Sequence, residues 1–416
     1  MQGTQKDAVN YFLLALVFLI PLQNIYLGKI PSLGGGMNIL NILMVLAFFA
    51  TIQIRETCFK NDLNKFIVWM AVIYFLSWVN SGVFLGVYEP RSIFALKDVL
   101  FSYLFFFVVY KSCDTLPQLK KVFWATVLPL PYMFKVYYTN LSWMGFSSYS
   151  DKLRLNGGTF MSLGSNEING FYATYTFVVL SVAFSTSKRL PRYFLIICGM
   201  MNLYCIIYGF SRGAYLAVII GLVVWAVVSS KVKRLLVGLS LFFFVGIVGV
   251  QVFPKATVER FEMSFNKEED RDRSAQSRFE FWDIAFDYYV KNPVLGIGYG
   301  SFPKVNPAGL DTHNYYVKVM VENGSIGLIV FFLFLNSCWK KIRELHLVAV
   351  DPFLKAFAVG MVPCMIAMLI GNLFGDRFTH YPLISYFYVY MAIVMKGIEL
   401  SRKEVFNVAE NSPASG

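Results

Sequence analysis

Apolar runs near 20 residues long, separated by short polar links, rule out most folds for this chain. A run of that length crosses a hydrocarbon layer about 30 Å thick as a helix, and lipid accepts only structures that satisfy their own backbone hydrogen bonds. Such runs lie near residues 9–28, 37–54, 64–86, 93–110, 122–139, 168–186, 190–209, 213–230, 234–253, 324–338, 353–374 and 380–397. They predict an all-α polytopic membrane protein of about twelve transmembrane helices. Composition agrees: 57% of residues are hydrophobic and 15% charged, against about 45–50% and about 25% in ordinary soluble domains. The least regular runs are 93–110, with Lys97 and Asp98, and 122–139, with Pro129, Pro131 and Lys135. The head Met1–Asn10 leads into the first run without a small-residue cleavage site, so no cleavable signal peptide is expected.

The net charge of +12 does not point to nucleic acid, because the basic residues sit in small clusters between the apolar runs. One alternate set of links carries Lys6; Arg55, Lys60 and Lys65; Lys111, Lys120 and Lys121; Lys188, Arg189 and Arg192; Lys231, Lys233 and Arg234; Lys340, Lys341 and Arg343; and Lys396, Arg402 and Lys403. The other set carries only Lys29, Arg91, Lys97, Lys152, Arg154, Arg212 and Arg377 outside the long polar loop. Positive charge marks cytoplasmic links. Both termini are therefore expected in the cytoplasm, with the polar stretch at 254–314 facing away from it. The expected organisation is transmembrane helices over 1–253, the outer loop over 254–323, further spans over 324–397 and a loosely ordered cytoplasmic tail over 398–416. The six cysteines (Cys58, Cys113, Cys198, Cys205, Cys338 and Cys364) avoid the loop and lack paired spacing, so neither a disulfide nor a zinc site is expected.

The loop is the informative part. Between Ser277 and Val290, residues Phe279, Trp282, Ala285, Phe286, Tyr289 and Val290 recur at helical spacing, so an amphipathic helix is expected, ended by Asn292-Pro293. It would lie along the membrane surface or pack on the outer end of the bundle. Gly296, Gly298 and Gly300 then mark a flexible turn; no strand precedes them, which excludes a dinucleotide fingerprint.

Several charged residues fall at the outer boundary. Arg212 sits between two apolar runs with almost no link. It either snorkels at a helix end or is a fixed cation for an anion such as phosphate, which guanidinium binds in bidentate fashion. Arg278 starts the amphipathic helix, where a cation is slightly disfavoured unless a ligand holds it. His313, in Asp311-Thr312-His313-Asn314, is either structural or a general base oriented by Asp311. His346 falls in a cytoplasmic link, and His380 suits an interfacial contact. Asp270-Arg271-Asp272 has the DxD spacing of some metal sites, but it lies inside a dense charge run that reads more simply as a solvated face.

Three stretches resemble the bacterial O-antigen ligase and polysaccharide polymerase superfamily. The first is Arg154-Leu155-Asn156-Gly157-Gly158-Thr159-Phe160 followed by Asn166; the second is Ser211-Arg212-Gly213-Ala214. The third runs from Ser277-Arg278 and Trp282 through Asn292-Pro293-Val294-Leu295-Gly296-Ile297-Gly298 and His313-Asn314 to Glu322-Asn323-Gly324-Ser325-Ile326-Gly327. The resemblance covers about residues 150 to 335. Ser165 departs from it, standing where many relatives have Pro.

The resemblance implies a GT-C-like glycosyltransferase of the bacterial inner membrane with a periplasmic active site. It implies an undecaprenyl-diphosphate-linked glycan as donor, a lipid A-core or growing glycan as acceptor, and neither metal nor other cofactor. Arg212 and Arg278 would bind the donor diphosphate, helped by Arg154, Lys97 and Arg377, and His313 would be the general base. A ligase is favoured by the moderate size and the single dominant outer loop. A polymerase shares the donor, and a protein O-oligosaccharyl ligase is a third reading. A transporter would place polar groups at the bilayer midplane, whereas here only Asp98 and Lys135 do not gather at the outer boundary.

Overall fold

The computed structural model describes residues 12–22, 39–52, 62–83, 85–87, 89–144, 164–229, 255, 258–259 and 273–411. The expected span at 234–253 lies outside them. Among the described residues there is no strand. The helices are α1 (Phe12–Leu22), α2 (Ile39–Ile52), α3 (Asp62–Val83), α4 (Ser92–Ser112), α5 (Leu116–Val127), α6 (Leu130–Met144), α7 (Ser165–Ser185), α8 (Arg189–Ile207) and α9 (Arg212–Val228). They continue with α10 (Arg273–Lys291), α11 (Phe302–Val305), α12 (Tyr315–Val348), α13 (Pro352–Gly371) and α14 (Tyr381–Asn411). Seven of these (α3, α4, α7, α8, α12, α13 and α14) are long and apolar enough to cross a membrane, and α1, α2 and α9 are apolar but shorter.

Two expectations are corrected here. The run at 122–139 is not one helix: a turn at Leu128-Pro129 divides it into α5 and α6, at a residue with no amide hydrogen to give to a continuing helix. The tail is not loose up to Asn411. Glu, Lys, Arg and Ala favour helix, so α14 continues past 397. Its later turns are held by Arg402 on Glu344 at 2.7 Å and Lys396 on Glu399 at 3.0 Å.

α7 is enclosed along most of its length by α8, α9 and α13, and α14 packs on α4 and α12. Thr174 and Thr176 on α7 donate to the carbonyls of Gly170 and Tyr172, so their buried hydroxyls need no partner from another helix. Basic links meet at one end of the bundle. Lys120 pairs with Asp351 at 3.2 Å, and Ser185 donates to Pro352 at 3.0 Å. The opposite end carries the start of α7, the corner between α8 and α9, and the turn after α13.

The decisive local feature is in α12. Gly324 (φ +63°, ψ −167°) breaks it. The rings of Tyr316 and Phe332 stack with centroids 6.1 Å apart. Sixteen residues of unbroken helix would separate them by about 24 Å. Residues 315–323 therefore fold back beside the main helix, and Tyr315 packs on Phe331 at 5.2 Å between ring centroids. The break strands backbone groups that must find partners. Ile297 and Gly298 donate to the carbonyls of Val321 and Glu322 at 2.9 and 3.0 Å, and the Ser325 amide donates to Pro293 at 2.8 Å.

The expected flexible turn is thus a tightly held strap. A Cβ on Gly298 (φ +112°) would lie 2.1 Å from the Ser81 Cβ on α3. Ser77 and Asn80 of α3 donate to Leu295 and Gly296, at 2.8 and 3.1 Å.

Gly324→Ala should destabilise the protein by about 2 kcal/mol or more, because a Cβ there meets the Val294 carbonyl at 2.3 Å in a left-handed conformation. Gly309→Ala, also at positive φ (+64°) but with open space around it, should cost only the conformational part. Thermal unfolding of the two detergent-solubilised variants compares them.

Candidate functional site

α10 ends at Lys291 as expected but begins at Arg273, which puts Arg278 in its second turn rather than at its start, and its packed face is rotated from the one the spacing suggested. Phe281 and Ala285 are buried, with Trp282 and Tyr288 beside them, against Ile297, Phe302 and Val321. Phe279, Phe286 and Val290 are exposed. The Trp282 indole donates to the Thr312 carbonyl at 3.0 Å, which fixes the short link before α12 to α10. Asn314 caps α12 by accepting from the amides of Tyr316 and Val317.

His313 lies in that link with φ +53°, a conformation that costs a non-glycine residue energy and needs its surroundings to hold it. Its ring lies 6.3 Å from Phe281, and its imidazole has no hydrogen-bond partner among the described residues. Burial and the nearby Arg278 guanidinium hold it below the ordinary histidine range, which favours its neutral form. Asp311 does not orient it. One Asp311 oxygen accepts the Thr312 amide at 2.9 Å, and the other binds Lys318 at 2.5 Å.

Lys318 is a missed residue. It is 4% exposed and also binds Glu322 at 3.0 Å, one helical turn on. Glu322 accepts the Phe302 amide at 3.1 Å. The signal was in the sequence: Lys and Glu four apart at the edge of an apolar run. Asp376 also joins this group. Burial and the neighbouring Asp311 push it well above the usual carboxylate range.

Arg377 is not an open cation. It is 3% exposed, lies between Gly170 and Gly375, and pairs with Glu167 at 3.1 Å. Glu167 was the second missed residue, although it follows Asn166 in a stretch already singled out. The His380 ring lies 4.0 Å from the same oxygen, and burial holds His380 below the ordinary histidine range. Asn372 joins the two halves of the site: its carbonyl accepts from Tyr315 at 2.9 Å and its side chain from the Arg377 amide at 2.9 Å.

Arg212 begins α9 after a corner in which Phe210 also has positive φ (+52°). The neighbouring Gly213 packs on Phe374, two residues past Asn372. Lys97 pairs with Asp98 at 3.0 Å on α4, the helix that touches the Arg377–Thr379 turn. Arg154 and the Asp270/Asp272 pair lie outside the described residues. The structure thus gathers Arg278, His313, Glu167 and Arg377 in one electrostatic neighbourhood, with Arg212 joined to it through the turn after α13. A neutral imidazole beside buried and half-buried guanidinium groups suits proton removal next to an anion.

Residues 193–332 match the family model described as O-antigen ligase. The match supports the O-antigen ligase superfamily and activity of the ligase or polymerase type. It contains Arg212, Arg278 and His313 and stops short of Arg377. No curated protein matches the chain.

Glu167→Ala should cost about 3 kcal/mol, because it leaves the Arg377 charge buried without its carboxylate. Lys65→Ala, at a solvent-exposed pair, should change stability by less than about 0.5 kcal/mol. Chemical or thermal melts of the purified variants distinguish the two.

Proposed function

From the O-antigen ligase match and the His313 site, we propose that this protein is an O-antigen ligase. It transfers a polysaccharide from undecaprenyl diphosphate to lipid A-core by a metal-independent, inverting reaction at the periplasmic face of the inner membrane. The carrying observation is His313, largely buried, held in a left-handed conformation and within the influence of Arg278. The proposal includes about twelve spans in a GT-C-like arrangement with both termini cytoplasmic. The alternation of basic links and their meeting at the end opposite His313 support that orientation.

His313 takes the proton from an acceptor hydroxyl as its oxygen attacks the anomeric carbon of the donor sugar. The new C–O bond forms as the bond to the diphosphate oxygen breaks, and attack from the opposite face inverts the configuration. The bond's electron pair leaves on the diphosphate. Arg212 and Arg278 stabilise that charge by charge-assisted hydrogen bonds in a partly dehydrated site. Arg377, paired with Glu167, acts more weakly on the donor, as do Lys97 and Arg154. No nucleotide sugar is needed, because the sugar arrives on its lipid.

A polymerase would use the same donor chemistry with a growing glycan as acceptor. The lipid-linked glycan left in a deletion strain distinguishes the two: a lost ligase leaves long chains on the carrier, and a lost polymerase leaves single repeat units.

His313→Ala should slow transfer by about 10²–10⁴-fold while membrane insertion is unchanged. Normal polysaccharide display in cells carrying only this variant would remove the base assignment. In wild-type protein the acid limb of the transfer rate should fall below the ordinary histidine value of about 6.5, because the base is active only while neutral and its burial lowers the midpoint. Transfer should persist in EDTA; dependence on added metal would return Asp270 and Asp272 to consideration.

A further inference from the structure

Asp311 stands two residues before His313 in the same short link. It is occupied elsewhere. One oxygen accepts the Thr312 amide, and the other binds the Lys318 ammonium at 2.5 Å. Lys318 is nearly fully buried and spans two carboxylates, Asp311 and Glu322. Burying an ammonium costs several kcal/mol unless its partners are well placed. A fold that needed only a filled space here would be served by Leu or Met. Glu322 in turn accepts the Phe302 amide, and its backbone carbonyl accepts from Gly298 and Ser77. Lys318 therefore ties the His313 link to the strap and to α3.

We propose that Lys318 is a positioning residue for His313: it captures the Asp311 carboxylate, keeps it from pairing with the imidazole, and anchors the link in the conformation the base requires.

The charge arithmetic gives signs that differ between variants. The groups facing His313 are Arg278 from α10, Asp311 from its own link, Glu167 from α7 and Arg377 from the turn after α13. Asp376 and His380 of that turn lie around Asp311. Arg278 and Arg377 disfavour the imidazolium; Asp311 and Glu167 favour it. With Lys318 in place, the Asp311 carboxylate is held on the ammonium at 2.5 Å rather than on the imidazole. Lys318→Met releases that charge toward His313, which raises the midpoint of the imidazole. Asp311→Asn removes it and leaves Lys318 to Glu322, which lowers the midpoint. Opposite signs follow from removing any nearby cation and anion; what is particular to capture of Asp311 is that Lys318→Met has no further effect once Asp311 is gone.

The inference rests on the ligase reading for its purpose but not for its test. The full-length protein, labelled on its three histidines and solubilised in detergent, is titrated by NMR, with His313→Gln assigning the signal. The expected result is an upward move of at least about half a pH unit in Lys318→Met and a downward move in Asp311→Asn. The double variant Lys318→Met/Asp311→Asn should lie close to Asp311→Asn. Movement in the same direction, none in either variant, or a double variant midway between the two single ones overturns the proposal.

If Lys318→Met does not fold, Lys318→Met/Glu322→Gln removes the second buried charge and still frees Asp311, so the upward move is expected there. If no Lys318 variant folds, Asp311→Asn alone decides: an unchanged or raised midpoint overturns the proposal. The acid limb of the transfer rate is measured in parallel. Midpoints that move while the limb does not would refute His313 as the base and leave the Lys318 assignment standing.

Discussion

The carbonyls of Val321 and Glu322, released by the break at Gly324, are taken up by the amides of Ile297 and Gly298, and the amide of Ser325 is returned to Pro293. In a membrane protein a stranded backbone group costs several kcal/mol, so this exchange leaves the strap little freedom. The link carrying His313 runs between the strap and the folded-back part of α12, and its level in the bundle is that of Phe331 through Tyr315. A straight α12 would carry Tyr315 and the link before it well beyond that level. The depth and closure of the candidate site are thus consequences of one glycine and three backbone hydrogen bonds.

On this frame the charges divide into two kinds. Lys318 and Arg377 are buried with carboxylates and are costly unless paired. They hold segments together: the first joins the His313 link to the strap, and the second joins α7 to the turn after α13. Arg212 is half-buried at the start of α9, and Arg278 is half-buried in the second turn of α10. At the start of α9 the Arg212 charge adds to the positive end of a helix, which favours a nearby anion. His313 sits between the two kinds, held below the ordinary histidine range by burial and Arg278, while Lys318 binds the Asp311 carboxylate.

Much of the fold was legible in the sequence. Apolar length marked the long helices, and period marked α10 and its end at Asn292-Pro293. Failures occurred where local pattern and tertiary contact disagree. The apolar residues of α10 lie on more than one face, so spacing could not say that Phe281 and Ala285 would be buried while Phe279 and Phe286 stayed exposed. The glycines of the strap looked like flexibility because glycine permits many conformations; here each is used for a close approach to α3, α4 or α12. Within the site, His313, Arg278 and Arg212 were legible as chemistry at a boundary. Glu167 was passed over because its partner, Arg377, lies 210 residues away.

The sequence by itself determined that this chain fills a membrane with helices, that a polar segment carrying His313 and Arg278 interrupts them late, and that basic links alternate. These follow from residue type, length and period, which are local quantities. Only the tertiary structure decided that α12 folds back at Gly324, that Asp311 belongs to Lys318 rather than to His313, and that Arg377 belongs to Glu167. Each of those depends on which donors and acceptors meet once apolar surfaces have packed. A carboxylate in a sequence has several cations within reach, and burial leaves it the one whose geometry satisfies both partners.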